Sequence, residues 1–171
     1  MPTECPFPIS RGLILDPYAG NMRWWKGTSA HVIFCDRFIC LPGVIQATVT
    51  QLPFQDEMFD QVWADPPHFI RRSRFAPSCA LSHFGAYPTR EAVHAEWTAA
   101  GKELWRVTKP GADLIWKSIT GAKTASQCVC DADLEWLRPY WQQVDYFSRR
   151  SRVKWSSAQT VYTRWVRHDA R

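Results

Sequence analysis

The stretch Phe59 to Phe69, FDQVWADPPHF, decides the reading of this chain. Phe59, Val62 and Trp63 are residue types that suit a pleated, half-buried backbone, so residues 59–64 are expected to form a strand. Pro66 and Pro67 have no N–H to give to a sheet, so the strand ends at Asp65. A carboxylate at the end of a buried strand is costly unless it is paired or used. Two earlier strands end the same way. Gly12-Leu13-Ile14-Leu15 runs into Asp16, and His31-Val32-Ile33-Phe34-Cys35 runs into Asp36.

Working outward, strand-like and helical spacings alternate. Asn21 to Gly27 is expected to open a helix, and Val44 to Thr48 to form a third strand. Thr89 is placed to cap a helix carrying Val93, Trp97, Ala100, Leu104 and Trp105, which Lys109-Pro110-Gly111 stops. Leu114 to Trp116 reads as a strand, Asp131 to Trp141 as a helix, and Val144 to Phe147 with Thr160 to Val166 as a closing strand pair. The predicted fold is α/β: a Rossmann-like doubly wound sheet of about seven mostly parallel strands with an antiparallel C-terminal strand. The whole chain, 1–171, reads as one domain. Its appendages are an N-terminal extension at 1–11, a loop without periodicity at 66–90, and a basic β-hairpin loop at 148–158. Loops as long as 66–90 usually carry function.

Hydrophobic residues make up 46% of the chain, enough for a packed core rather than disorder. No apolar run is long enough to span a bilayer, and no basic-then-apolar leader opens the chain, so a cytoplasmic location is expected. The cysteines Cys5, Cys35, Cys40, Cys79, Cys128 and Cys130 lack the spacing of a zinc site and are expected to be reduced thiols. No metal is expected. Most of the tryptophans lie in periodic segments and are expected in the core. The positive charge is uneven. Residues 66–90 hold Arg71, Arg72, Arg74 and Arg90 and no acid; residues 146–168 hold Arg149, Arg150, Arg152, Lys154, Arg164 and Arg167 and no acid. Such clusters suit either a polyanionic partner or a solvated surface.

In open α/β sheets ligands bind at the carboxyl ends of the strands, where the three acids fall. Asp16-Pro17-Tyr18-Ala19-Gly20 has the strand, acid and glycine turn of a nucleotide-binding element, but lacks the glycines that wrap a pyrophosphate. Asp36 follows Asp16 by twenty residues, a spacing suited to accepting hydrogen bonds from ribose hydroxyls. An adenosine cofactor without a pyrophosphate fits better than a dinucleotide. At Asp65 a carboxylate oxygen and a proline carbonyl offer two acceptors for the N–H groups of an aromatic amine. His68 or Phe69 offers a ring to stack an extruded base. The plainer alternative for Asp-Pro-Pro is a rigid turn.

Taken in order, LILDPYAGN, VIFCD, LPFQDEMFDQVWADPPHF and ELWRVTKPGADLIWKS resemble the motifs of class I S-adenosylmethionine-dependent methyltransferases. The likeness is to small phage and prokaryotic enzymes with an Asp-Pro-Pro-His motif, which carry a segment similar to Met22-Arg23-Trp24-Trp25 after the first acidic turn. The resemblance implies S-adenosylmethionine as cofactor. Asp16, Pro17, Tyr18, Ala19 and Gly20 would line its methionine and ribose, Asp36 would hold the ribose, Thr48 and Val49 would meet adenine, and Leu52-Pro53-Phe54 would pack beneath it. Asp65, Pro66, Pro67 and His68 would be the catalytic motif, with Asp65 also touching the cofactor. His68 stands where that motif usually has Tyr, Phe or Trp.

The acceptor implied is the exocyclic amine of adenine or cytosine in DNA or RNA, in the host cytoplasm if the chain is phage-encoded. Phe69, Arg71, Arg72, Arg74, Lys117, Arg150, Arg152, Lys154 and Trp155 are the expected substrate contacts. With no room for a separate recognition domain in 171 residues, the expectation is either a short sequence preference or a specificity partner or homodimer. Two alternatives stand beside this reading: a methyltransferase for a small molecule or protein side chain, and a degenerate module that binds cofactor or nucleic acid.

Overall fold

Seven strands form one sheet in the order β3-β2-β1-β4-β5-β7-β6. They are β1 (Leu13–Asp16), β2 (His31–Asp36), β3 (Val44–Gln46), β4 (Phe59–Ala64), β5 (Thr108–Thr120), β6 (Trp141–Arg150) and β7 (Gln159–Arg167). The computed structural model describes residues 6–38, 41–67, 70, 87–120, 131–150 and 159–168. β1 to β5 pair in parallel, and β7 inserts antiparallel between β5 and β6. The expected doubly wound topology is therefore present. Its switch point lies between β1 and β4, where Leu15 pairs with Val62.

The strand boundaries follow the side chains. β4 is the Phe59–Ala64 run, buried at Phe59, Gln61, Val62, Trp63 and Ala64. β5 is longer than the expected Leu114–Trp116. Lys109-Pro110-Gly111 does not simply stop a helix but forms a bulge opposite Asp60, whose carboxylate takes Lys109 Nζ at 2.7 Å and Leu13 N at 2.9 Å.

The helices differ more. Among the described residues the one α-helix is α1 (Arg90–Val107). Thr89 caps it as expected, its hydroxyl accepting from Ala92 N at 3.2 Å. Val93, Trp97, Ala100, Leu104 and Val107 form its buried stripe. The segment expected to open a helix after Asn21 makes only a 3-10 turn, Arg23–Trp25. The expected Asp131–Trp141 helix is a 3-10 segment, Asp131–Leu137, and Trp141 begins β6 instead. Trp24 and Trp25 each pack edge-on against Trp63, while Leu134, Leu137 and Trp141 still form a buried face against α1. Trp141 donates its indole N–H to Gly101 O at 2.9 Å. A Cβ on Gly101 would come within 2.8 Å of Leu137, so glycine lets α1 approach this segment closely.

Each sheet face has its own core. One holds α1 with Leu15, Val62, Trp97, Trp116 and Trp165. The other holds Ile14, Trp63, Ile115 and Tyr162 beneath Trp25 and Phe7. Here the N-terminal extension does the work of a crossover helix. Gln61, buried in β4, accepts Ser10 N at 2.9 Å and donates to Pro8 O at 2.9 Å, stitching the extension to the sheet. Cys35 is a free buried thiol, pushed up to about 12 by burial and the nearby carboxylates. The other five cysteines lie outside the described residues. No described helix is long and apolar enough to cross a membrane.

Candidate functional site

The turn after β1 folds back on the end of β2. Ala19 N donates to Cys35 O at 2.9 Å, and Gly20 N donates to Asp36 Oδ2 at 3.0 Å. Gly20 has φ 52°, a left-handed conformation that glycine adopts without a Cβ penalty. Asp36 also accepts Phe38 N on Oδ1 at 2.8 Å and is partly exposed. Its partial exposure lets this carboxylate accept from a hydroxyl donor that approaches from solvent.

Asp16 is different. It is 3% exposed, and its oxygens accept Tyr18 N at 3.2 Å and the Trp25 indole N–H at 2.8 Å. Burial pushes its carboxyl up to about 7, against the pull of those two donors and with some help from the charges of Asp65 and Asp36. Register sets Asp16 at the end of β1 between the ends of β2 and β4, so the three acids fall at the carboxyl ends of neighbouring strands. Pro17, Ala19 and Gly20 are buried around Asp16. Tyr18 packs edge-on against Trp116, with centroids 6.5 Å apart, and burial raises its phenol well above the ordinary range.

Thr48, Val49 and Leu52 follow β3. Val49 and Leu52 are buried, and the Thr48 hydroxyl lies 3.0 Å from that of Thr50. What holds this segment was not foreseen from the sequence. Arg106, near the end of α1, donates to Leu52 O at 3.2 Å and Phe54 O at 2.9 Å, and pairs with Asp56 and Glu103 at 2.6 Å each. Glu103 in turn accepts Leu52 N at 2.8 Å. The only sequence signal was an Arg-Glu pair at helical spacing. Replacing Arg106 with methionine is expected to cost about 2 kcal/mol in urea unfolding, because two carbonyls lose a charged donor. An unchanged midpoint would show that the clamp contributes nothing.

Asp65 sits just beyond β4 on the same edge. Its Oδ2 takes Lys117 Nζ at 2.5 Å, with side chains 27% and 20% exposed. Ala64 pairs with Trp116, so Lys117 is the next residue across from Asp65. The ammonium also lies 4.8 Å from the centre of the Trp24 ring, which packs against Trp63 and Tyr162. Pro66 is buried and Pro67 partly so. A parallel bridge between Ile70 and Tyr87 closes the base of the 66–90 segment.

Asp16, Asp36, Asp65 and Lys117 are thus brought to one edge. His68, Phe69, Arg71, Arg72, Arg74, Arg152, Lys154 and Trp155 lie outside the described residues. Arg150 pairs with Gln159, and Gln159 with Thr120 at the end of β5. The ends of β6 and β7 that border residues 151–158 therefore lie at the carboxyl edge, the edge that holds the acids. Among the described residues no cluster of His, Cys, Asp and Glu is arranged to hold a metal.

The sheet order, with β7 antiparallel between β5 and β6, is that of a Rossmann-like methyltransferase fold. The chain is similar in structure to the 1,6-didemethyltoxoflavin-N1-methyltransferase of Burkholderia thailandensis, solved with its substrate and S-adenosylhomocysteine. The TM-score is 0.63 at 14% identity, over 92% of this chain and 72% of that one. It is also similar to the N-methyltransferase NodS of Bradyrhizobium japonicum, solved with S-adenosylhomocysteine, with TM-score 0.58, 12% identity and coverage of 92% and 77%. A third is the 16S rRNA (adenine(1408)-N(1))-methyltransferase of Catenulisporales acidiphilia, with TM-score 0.56, 13% identity and coverage of 95% and 90%. No protein-family model and no curated protein sequence matches the chain.

Proposed function

We propose that this chain is an S-adenosylmethionine-dependent methyltransferase whose acceptor is the exocyclic amino group of a nucleic-acid base, adenine N6 or cytosine N4, in DNA or RNA. The observation that carries the reading is the convergence of Asp16, Asp36 and Asp65 at the switch point of the sheet, with Asp65 followed by two prolines. A fold alone does not name a reaction, so the argument rests on these residues.

The donor set suits the cofactor. Asp36 is partly exposed and has acceptor capacity for ribose hydroxyls, and Val49, Leu52 and Phe54 supply apolar surface for a purine. Gly20 makes the tight left-handed turn that brings this loop onto Asp36. When bound, the cofactor supplies an electrophilic methyl on a sulfonium. Asp65 and the Pro66 carbonyl accept the N–H groups of the acceptor amine, orient its lone pair and offset the positive charge that builds on nitrogen. Substrate phosphates are assigned to the basic segment that follows Asp65 in sequence and to the one between β6 and β7.

Asp36→Ala is expected to weaken S-adenosylmethionine binding about thirtyfold in calorimetry, since charged hydrogen bonds to hydroxyls are lost and the Gly20 turn loses its anchor. Normal affinity would remove Asp36 from the ribose role.

One observation favours a second reading, a small-molecule or protein side-chain acceptor. Asp65 already holds an alkylammonium, that of Lys117, against an aromatic ring. The test incubates the protein with methyl-labelled cofactor and, separately, DNA, RNA, small amines and extract protein. Product nucleosides are then read by mass spectrometry. Label in N6-methyladenine or N4-methylcytosine is expected. Label confined to protein or small amines would replace the first reading by the second, and absence of cofactor binding would reject both.

A further inference from the structure

Lys117 is tied down more firmly than a substrate-facing lysine requires. Register places it beside Asp65, and the pair Lys117↔Tyr162 places it beside β7. Its ammonium meets Asp65 Oδ2 and lies over the Trp24 ring. Trp24 is itself held between Trp63, at 6.2 Å, and Tyr162, at 6.4 Å. The ammonium is thus held between an indole ring and one oxygen of one carboxylate.

We infer that Lys117 is a positioning residue for methyl transfer: it holds Asp65 by Oδ2 and so presents Oδ1 to the acceptor amine. This rests on the amine-acceptor reading of Asp65 given above. An unanchored carboxylate rotates between orientations, and only some of them aim an oxygen at the acceptor. Lysine suits the task because its ammonium is a compact point charge that engages one oxygen. Arginine does not, because its planar fork tends to claim both oxygens of a carboxylate. The acceptor would then compete with the guanidinium for Oδ1.

The inference makes an unusual demand on the charge-conserving variant. Lys117→Met keeps an unbranched side chain of similar length and loses the anchor. It should lower kcat about thirtyfold, with KM for the acceptor and affinity for the cofactor within about twofold of wild type. Lys117→Arg should fall at least as far, although its charge is retained. In the Asp65→Ala background, Lys117→Met should have no further effect beyond about twofold, because it acts through Asp65. Wild-type transfer first decides which acceptor takes label, so a failed nucleic-acid reading is seen there; the variants are then compared on that acceptor. The pair is read without turnover by NMR of nitrogen-labelled lysine, where the protected Lys117 Nζ signal should be lost in Asp65→Ala. Recovery of activity by arginine, additive losses in the double variant, a rise confined to acceptor KM, or an Nζ signal indifferent to Asp65→Ala would each overturn the proposal.

Discussion

Asp65→Ala is expected to lower methyl transfer about a thousandfold while S-adenosylmethionine affinity stays within about threefold. The size follows from what alanine removes. The acceptor amine loses an oxygen that fixes its lone pair and the negative charge that offsets the cation forming on nitrogen. The cofactor loses little, because Asp36 and the Gly20 turn are anchored on β1 and β2 and not on β4. Alanine also strands the Lys117 ammonium, which is only 20% exposed, so the variant should unfold at lower urea. Asp65→Asn separates the two effects. Its carbonyl still accepts one N–H, so folding should recover while transfer stays well below wild type. Single-turnover transfer, calorimetry and urea unfolding on the same preparations make the comparison. Equal losses of transfer and of cofactor affinity would make Asp65 part of the cofactor pocket or the fold instead.

The strands at this edge were legible because each ends in a chemical contradiction: an apolar run closed by an acid. Asp16, Asp36 and Asp65 marked the ends of β1, β2 and the boundary of β4 closely. The helices were not legible in the same way. Trp24, Trp25 and Trp136 lie in segments expected to be helical, but each indole answers to a tertiary partner. Trp25 gives its N–H to Asp16, and Trp136 packs on Trp97 at 5.5 Å. Tertiary contacts override a weak local preference, and 3-10 turns result. The N-terminal extension showed no signal because its role depends on Gln61, a polar residue whose burial is explained only by the backbone of Pro8 and Ser10.

At the site, the acids could be named from the sequence, but their division of labour could not. Asp16 and Asp36 look alike as strand-ending aspartates. One is sealed beneath an indole and the other is partly open. The partnership of Lys117 with Asp65 needs the register of β4 on β5, which no local pattern contains. Arg106 reads as a surface helix residue until the Leu52–Asp56 segment folds over it.

The burial of Asp16 carries a second large effect, on stability rather than turnover. Its carboxyl is pushed up to about 7 in the fold, while an exposed aspartate in the unfolded chain titrates near 3.9. Between these values the folded chain keeps a proton that the unfolded chain has released. Stability from this group is therefore fully present below about pH 4 and is lost as pH rises through about 7. The integrated loss from about pH 5 to about pH 8 is on the order of 2 to 3 kcal/mol. Asp16→Asn removes the titration. Its amide keeps an acceptor for the Trp25 indole or for Tyr18 N, though not for both, so it should start below wild type in acid. The two curves should then converge or cross by about pH 8, because only the wild type pays for burying a charge. Urea unfolding of both proteins across that range measures the difference directly, with other titrating groups cancelling. Parallel curves would mean that Asp16 is ionised in the fold throughout, and that its two N–H donors outweigh its burial.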